Sequence, residues 1–312
     1  MSALAKPVGL GFGLLGTTNT APISDGEAER MFEAAWDLAV RRFDTAPLYG
    51  GGLSEERLGR LLKGRPRDAY VLSTKVGRYR SYSAPVTDPR ENPGDWHDYS
   101  RDATLRSVET SLRRLGVDHL DIVFVHDCDR SIEDALDGAL PALKELRSQG
   151  VIGAVGCGSN LADTHLALLQ RAELDVLMVA GRFTLLDQSA GDALLPVCRE
   201  RGVEVELAAP FNSGILATGP DDSATRFDYQ SPDNDIRDRV RAIEAICTAH
   251  DVSLKRAALH YSAAHPAVTR LILGLIHPDG LRSNLADLRE PVPDGLWAAL
   301  AGLGLAHPSA GA

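Results

Sequence analysis

The amino-acid sequence predicts an α/β protein of the (β/α)8 barrel type, one domain over residues 1–312, with its active site at the C-terminal mouth of the strands. Three observations carry that expectation. Short apolar runs alternate with amphipathic stretches from one end to the other, eight of the runs qualify as strands, and no Pro/Gly/Ser-rich linker interrupts the alternation. Strands separated by helices build a parallel sheet covered by those helices, and eight such units close on themselves.

The first apolar run is 8–12. Ser24 and Glu27 then form a capping box, and Ala28, Met31, Phe32, Ala35 and Leu38 share one face of the helix that follows. Residues 42–45 are the second strand, 53–63 a helix and 69–74 the third strand. An insertion over about 77–100 breaks the cadence with three prolines and with Tyr79, Tyr82, Trp96, His97 and Tyr99. An aromatic loop after a strand, at the face where barrels place their sites, is read as a lid or substrate wall.

The cadence then resumes. A helix carrying Leu105, Val108, Leu112 and Leu115 stops at Gly116, before the strand 120–125. Helices over 132–148, 161–171 and 193–201 precede strands at 151–155, 176–179 and 203–207. Helices at 236–250 and 254–264 lead to the last strand, 269–273, and a helix and tail occupy about 291–312.

Composition narrows the function. Thirty-three basic against 43 acidic residues leave a net charge of −10, which argues against nucleic acid as a partner. The four cysteines, Cys128, Cys157, Cys198 and Cys247, form no Cys-x-x-Cys pair and read as reduced, buried thiols. The N-terminus lacks the unbroken apolar segment of a signal peptide, and no run reaches the roughly 20 apolar residues of a membrane span. The expectation is a cytoplasmic protein with a small-molecule partner, no membrane partner and a monomeric or homodimeric state.

Two motifs are set aside. Gly11-Phe12-Gly13-Leu14-Leu15-Gly16 spells a dinucleotide fingerprint, but that fingerprint needs a helix opening within it, and the first helix is expected only after Ser24. These glycines are read instead as bringing backbone close to a ligand. His126-Asp127-Cys128-Asp129 lines up four metal-ligating types, yet neighbouring side chains on a strand diverge, so no metal is expected.

Asp44, Lys75 and His126 fall at or just beyond the ends of consecutive strands, and Tyr49 follows Asp44 by five residues. In a parallel barrel those ends converge. A phenol with its usual pKa of about 10 is a poor base at neutral pH, but a neighbouring ammonium favours its anion. Lys75 would supply the ammonium, Asp44 would hold Lys75, and His126 would orient a substrate oxygen. Such a site moves a proton and cannot take a hydride, so redox chemistry requires a cofactor.

These residues resemble the aldo-keto reductase family. The run Phe43 to Gly50 is similar to its Asp-Thr-Ala-x-x-Tyr-Gly signature, followed by Ser54-Glu55 and Leu58-Gly59. Leu72-Ser73-Thr74-Lys75 resembles the strand bearing the family lysine, Leu115 to Asp121 with Val125-His126 the segment leading to its histidine, and Gly156 to Asn160 the segment that holds the nicotinamide carboxamide. The resemblance implies a catalytic tetrad of Tyr49, Lys75, Asp44 and His126. It also implies cofactor contacts from Ser159, Asn160, Phe211, Ser213, Gly214, Leu216, Gly274 and Asn284, and substrate contacts from Leu14 and Trp96. The segments 181–188 and 209–216 are most similar to the branch of D-threo-aldose (L-fucose) and pyridoxal dehydrogenases, which oxidise a cyclic hemiacetal to a lactone.

Some positions depart from the family pattern. Ala180 replaces a frequent glutamine and Ala208 an aromatic that stacks on the nicotinamide; Phe211 is a candidate substitute. The basic residue expected near the adenosine 2′-phosphate falls on Ile276, which tilts the cofactor toward NAD over NADP, with Arg282 or His277 as compensating cations. Two alternatives stand beside the dehydrogenase: an NADPH-dependent aldehyde or ketone reductase, and a cofactor-binding regulatory protein like the channel β subunits.

Overall fold

The structure, a computed structural model, describes residues 6–13, 23–80, 95–274 and 277–305. Leu14, Ile276, most of the insertion and the end of the C-terminal tail lie outside the described residues. Eight strands close into a barrel in the order β1 (Val8–Gly11), β10 (Val268–Gly274), β9 (Glu204–Ala208), β8 (Val176–Ala180), β7 (Ile152–Ser159), β6 (Leu120–His126), β3 (Val71–Val76) and β2 (Arg42–Asp44). The pairs β1–β2, β2–β3, β3–β6 and β6–β7 run parallel.

By compactness the chain divides into two units. The larger comprises Val8–Met178 with Ile272–Leu281; the other is built mainly on Val179–Leu271. In the larger unit the helix Asp25–Asp37 starts at Ser24, whose hydroxyl caps Glu27 N–H in the expected box, and buries Ala28, Met31, Phe32 and Ala35. Phe32 meets Phe12 and Phe43 with ring centroids 6.5 and 5.2 Å apart. Each such buried side chain contributes about 2 kcal/mol. In the other unit Phe183 packs on Tyr261 at 5.4 Å, and the Thr184 hydroxyl donates to Asn212 Oδ1 at 2.5 Å.

The barrel interior depends on small residues of β7. Phe124 and His126 of β6 stand opposite Gly156 and Gly158. A Cβ at Gly156 would lie 2.6 Å from the Phe124 ring and 2.4 Å from the Val176 carbonyl oxygen, so a side chain there collides with the sheet. This Gly-Cys-Gly run explains why β7 extends to Ser159, past the expected 151–155: its apolar signal stops where the interior needs space.

Three other expectations change. β3 begins two residues late because Arg67–Ala69 forms a 3-10 turn after Pro66. The helix expected over 132–148 contains a π turn at Ala135–Ala139 before Leu140–Ser148, next to Pro141, which has no N–H to continue an α ladder. The described part of the insertion is an antiparallel ribbon, β4 (Arg78–Arg80) against β5 (Asp95–His97), rather than an irregular loop. No described helix is long and apolar enough to cross a membrane.

Candidate active site

Asp44 ends β2 opposite Ser73 of β3, and Lys75, two residues beyond Ser73, shares its face. Lys75 Nζ donates to Asp44 Oδ2 at 2.5 Å and to the Thr45 carbonyl at 2.9 Å. The other carboxylate oxygen accepts from the Ser73 hydroxyl at 2.5 Å, and that hydroxyl accepts from Arg42 at 2.9 Å. Asp44 is therefore held from both sides.

The chain leaves β2 through Thr45 to Leu48 and turns at Gly50, Gly51 and Gly52, whose φ angles are 65°, 65° and 102°. Side chains are strained in that region, and a Cβ on Gly52 would stand 2.3 Å from the Arg114 guanidinium carbon. The turn opens the helix Leu53–Leu62, and its first residues brace the loop. Ser54 shares a hydrogen bond with the Thr45 hydroxyl at 2.7 Å and donates to the Phe12 carbonyl at 3.0 Å. Glu55 accepts from the Thr74 hydroxyl at 2.7 Å and from Arg114 at 3.0 Å.

The half-buried Tyr49 is thus fixed beside the pair. Lys75 Nζ lies 4.9 Å from the centre of its ring, and the His126 ring meets it edge-on at 5.9 Å. A Cβ on Gly13 would lie 3.4 Å from Tyr49 Cζ, so Gly13, just past β1, approaches the tyrosine as backbone.

His126 closes the group. Its carbonyl accepts from the Tyr99 hydroxyl at 2.7 Å. Its Nε2 stands 3.5 Å from Asp127 Oδ2, which is engaged by Arg78 at 2.5 Å, and its buried Nδ1 has no hydrogen-bond partner among the described residues. Arg78 and Arg80 both hold Asp95, which ties the β4–β5 ribbon to the end of β6. Burial pushes the His126 imidazole well below the usual histidine range, Lys75 and Arg78 push it further, and Asp44 opposes them. It is a neutral imidazole at neutral pH. Burial also opposes the Lys75 ammonium, but Asp44 and Tyr49 outweigh it and hold that group above the usual lysine range.

The structure brings Asp44, Tyr49, Lys75 and His126 together. Ser159 ends β7, and its hydroxyl donates to Asp129 at 2.5 Å and accepts from Leu161 N–H at 2.9 Å. Among the described contacts one lone pair of that hydroxyl remains, and the part-exposed Asn160 follows it in the chain. An acceptor next to an amide suits a carboxamide, so this pair fits the nicotinamide group that the family resemblance implies.

Phe211 precedes the turn Asn212–Gly214, where Ser213 and Gly214 have φ angles of 64° and 115°. Ser213 Oγ accepts from Tyr229 N–H at 3.0 Å. The Leu216 side chain is wholly buried and its N–H donates to the Phe211 carbonyl, so Leu216 already serves the core. Gly274 ends β10, and Asn284 is buried in the helix Pro278–Arg289. Trp96 is half exposed, leans on Tyr79 at 5.7 Å and helps line a pocket of about 250 Å³ with Pro47, Gly51, Arg80 and Arg106.

Sequence reasoning did not assign Arg78, Asp95, Asp127 or Asp129, and it read Tyr99 as part of a lid or substrate wall, whereas Tyr99 is buried and its hydroxyl donates to the His126 and Asp127 carbonyls. The signal for two of them lay in the His126 to Asp129 run. Both lie just past the end of β6, where Asp127, with a φ of 46°, meets Arg78 and Asp129 meets Ser159. Among the described residues no group of three or more potential ligands could hold a metal ion.

The closed parallel barrel gathers a buried lysine-aspartate pair, a half-buried tyrosine and a buried histidine at its strand ends, the face where barrel enzymes keep their active sites. The chain is a member of the aldo/keto reductase family, whose pattern matches residues 7–303, and it is an oxidoreductase. It is 39% identical to a D-threo-aldose 1-dehydrogenase of Pseudomonas sp and 36% identical to a pyridoxal 4-dehydrogenase of Microbacterium luteolum, each match covering 96% of this chain and 94% of the relative. Among solved structures, the holo form of an aldo-keto reductase from Bacillus halodurans superposes with a TM-score of 0.78 at 26% identity, covering 96% of this chain and 92% of that one.

Proposed function

We propose that this oxidoreductase oxidises the cyclic hemiacetal of an aldose of the L-fucose or D-arabinose type, or of pyridoxal, to the lactone, with NAD as its cofactor. The observation that carries the proposal is the Lys75–Asp44 pair at 2.5 Å, with Tyr49 beside it and His126 held neutral. The choice of hemiacetal rests on the two relatives matched along almost their whole length.

Tyr49 takes the proton of the anomeric hydroxyl. Lys75, kept cationic by Asp44, favours the phenolate that makes this transfer efficient, a contribution of about 10²–10⁴-fold for a positioned base. The neutral His126 hydrogen-bonds the substrate oxygen without competing for the proton. Ser159 and Asn160 would hold the nicotinamide carboxamide, and the nicotinamide, when bound, supplies the hydride acceptor that no side chain provides.

NAD is preferred on charge. The Lys255 ammonium reaches the Ser283 hydroxyl, in the segment where the family meets the adenosine 2′-phosphate, but Lys255 is also paired with Asp287 at 2.8 Å. Arg256 is engaged by Asp287 and Glu290. A 2′-phosphate there would compete with carboxylates that already engage these cations, and the position that the family resemblance gives to a basic residue carries Ile276 in the sequence.

The purified protein with NAD+ or NADP+ and a panel of L-fucose, D-arabinose, L-galactose, pyridoxal and simple alcohols tests the reading through the absorbance of reduced nicotinamide. NAD+-dependent oxidation of a hemiacetal is expected. No turnover of any hemiacetal, together with NADPH-dependent reduction of aldehydes, would overturn it.

A further inference from the structure

The hydroxyl of Ser159 is almost fully committed inside the protein. A serine hydroxyl has one proton to donate and two lone pairs to accept with. The proton goes to Asp129 Oδ1 at 2.5 Å, and one lone pair takes the Leu161 N–H at 2.9 Å. Asp129 Oδ1 also accepts from the Thr164 hydroxyl at 2.7 Å, so its position does not depend on Ser159 alone. Ser159 is 2% exposed, and bulk water has little access to reorient the hydroxyl. A single acceptor lone pair is left for a ligand.

From this count we propose that Asp129 is a positioning residue that makes Ser159 an acceptor-only contact, so that the group meeting Ser159 must bring an N–H or O–H of its own. The proposal rests on the reading that Ser159 meets the nicotinamide carboxamide. Under it, Ser159 takes the amide N–H₂ end and rejects a group that can only accept. A ligand presenting an acceptor would set its lone pair against the serine lone pair, with Asp129 holding the proton away. Asp129 thereby supplies selectivity while touching no ligand.

The test compares equilibrium binding of NAD+ with that of acetylpyridine adenine dinucleotide, in which a methyl ketone replaces the carboxamide and no N–H remains. Titration calorimetry gives both Kd values without turnover. The wild-type protein should bind NAD+ at least about tenfold more tightly than the analogue, in line with one lost hydrogen bond and one unsatisfied buried acceptor. Asp129→Asn keeps an acceptor for Ser159 and Thr164 and should retain the ratio. Asp129→Ala frees the serine proton and should bring the two affinities within about threefold.

Equal affinities in the wild-type protein would overturn the proposal without any need for a folded variant. So would an undiminished ratio in Asp129→Ala, or Asp129→Asn losing selectivity as Asp129→Ala does. Ser159→Ala separates the underlying reading. If both Kd values stay at wild-type levels in that variant, Ser159 does not meet the carboxamide, and the reading fails together with the proposal. If only NAD+ binding weakens, the reading stands and the Asp129 variants decide.

Discussion

Lys75 and His126 sit near the ends of neighbouring strands, 2% and 6% exposed, and the protein drives their titrations in opposite directions. Burial disfavours the charged form of both groups, so the neighbouring charges are what separate them. Lys75 keeps its proton because a carboxylate 2.5 Å away, itself fixed by Ser73, is aimed at it. His126 loses its proton because burial disfavours the imidazolium and because Lys75 and Arg78 add positive charge that Asp44 does not offset, while the adjacent Asp127 is engaged by Arg78. The comparison teaches that the partners' partners set the chemistry: Ser73 and Arg42 behind Asp44, and Arg78 and Asp95 behind Asp127.

The largest expected effect comes from breaking the charged half. Lys75→Met removes the ammonium and leaves the Asp44 carboxylate buried without its cation. Turnover should fall by about 10³-fold, and urea unfolding should show a loss of about 3–5 kcal/mol. Wild-type activity in that variant would remove Lys75 from the account.

The neutral half shows itself in stability against pH. His126 is held well below the usual histidine range, and burial pulls His165 to about 4. The unfolded chain binds those protons more readily, so stability is fully present above about pH 6.5 and declines as pH falls, by about 1.4 kcal/mol per pH unit for each histidine. Unfolding titrations at stepped pH should show this slope, and His165→Asn should remove one histidine's share of it. An unchanged slope in that variant contradicts the assignment for His165.

Arg78→Gln sharpens the comparison by blurring it. The change removes a nearby positive charge and frees Asp127 to engage His126, both of which raise the imidazole pKa. The acid limb of the kcat/KM profile should move to higher pH, with activity at pH 6 reduced several-fold and little change at pH 8. A limb that stays in place would mean the ribbon only supports the fold. Trp96→Ala should have the smallest effect: KM for a sugar rises about threefold with kcat kept, because the ring is half exposed and rests on Tyr79. An unchanged KM takes Trp96 out of the substrate wall.

Much of this was legible in the sequence because strand ends announce themselves. Apolar runs stopping at Asp44, Lys75 and His126 located the mouth, and the Ser24–Glu27 box located the first helix start. Supporting contacts were illegible where they depend on the path of a long insertion: Arg78, itself held by Asp95, meets Asp127 from a ribbon whose folding no periodicity signals. The length of β7 was obscured for another reason. Its interior-facing positions are glycines, chosen by Phe124 and the Val176 carbonyl on neighbouring strands rather than by anything local. The Lys255, Ser283 and Asp287 contacts join two helices separated by β10, so their offsetting charges appear only in three dimensions.

The proton-transfer role of Tyr49 is the centre of the account, and Tyr49→Phe tests it most directly when cofactor binding and turnover are measured on the same preparation. The account predicts a Kd for NAD+ within about twofold of wild type and turnover lower by about 10³-fold, since only the phenol oxygen is lost. Turnover retained at the wild-type level, with binding intact, would contradict it.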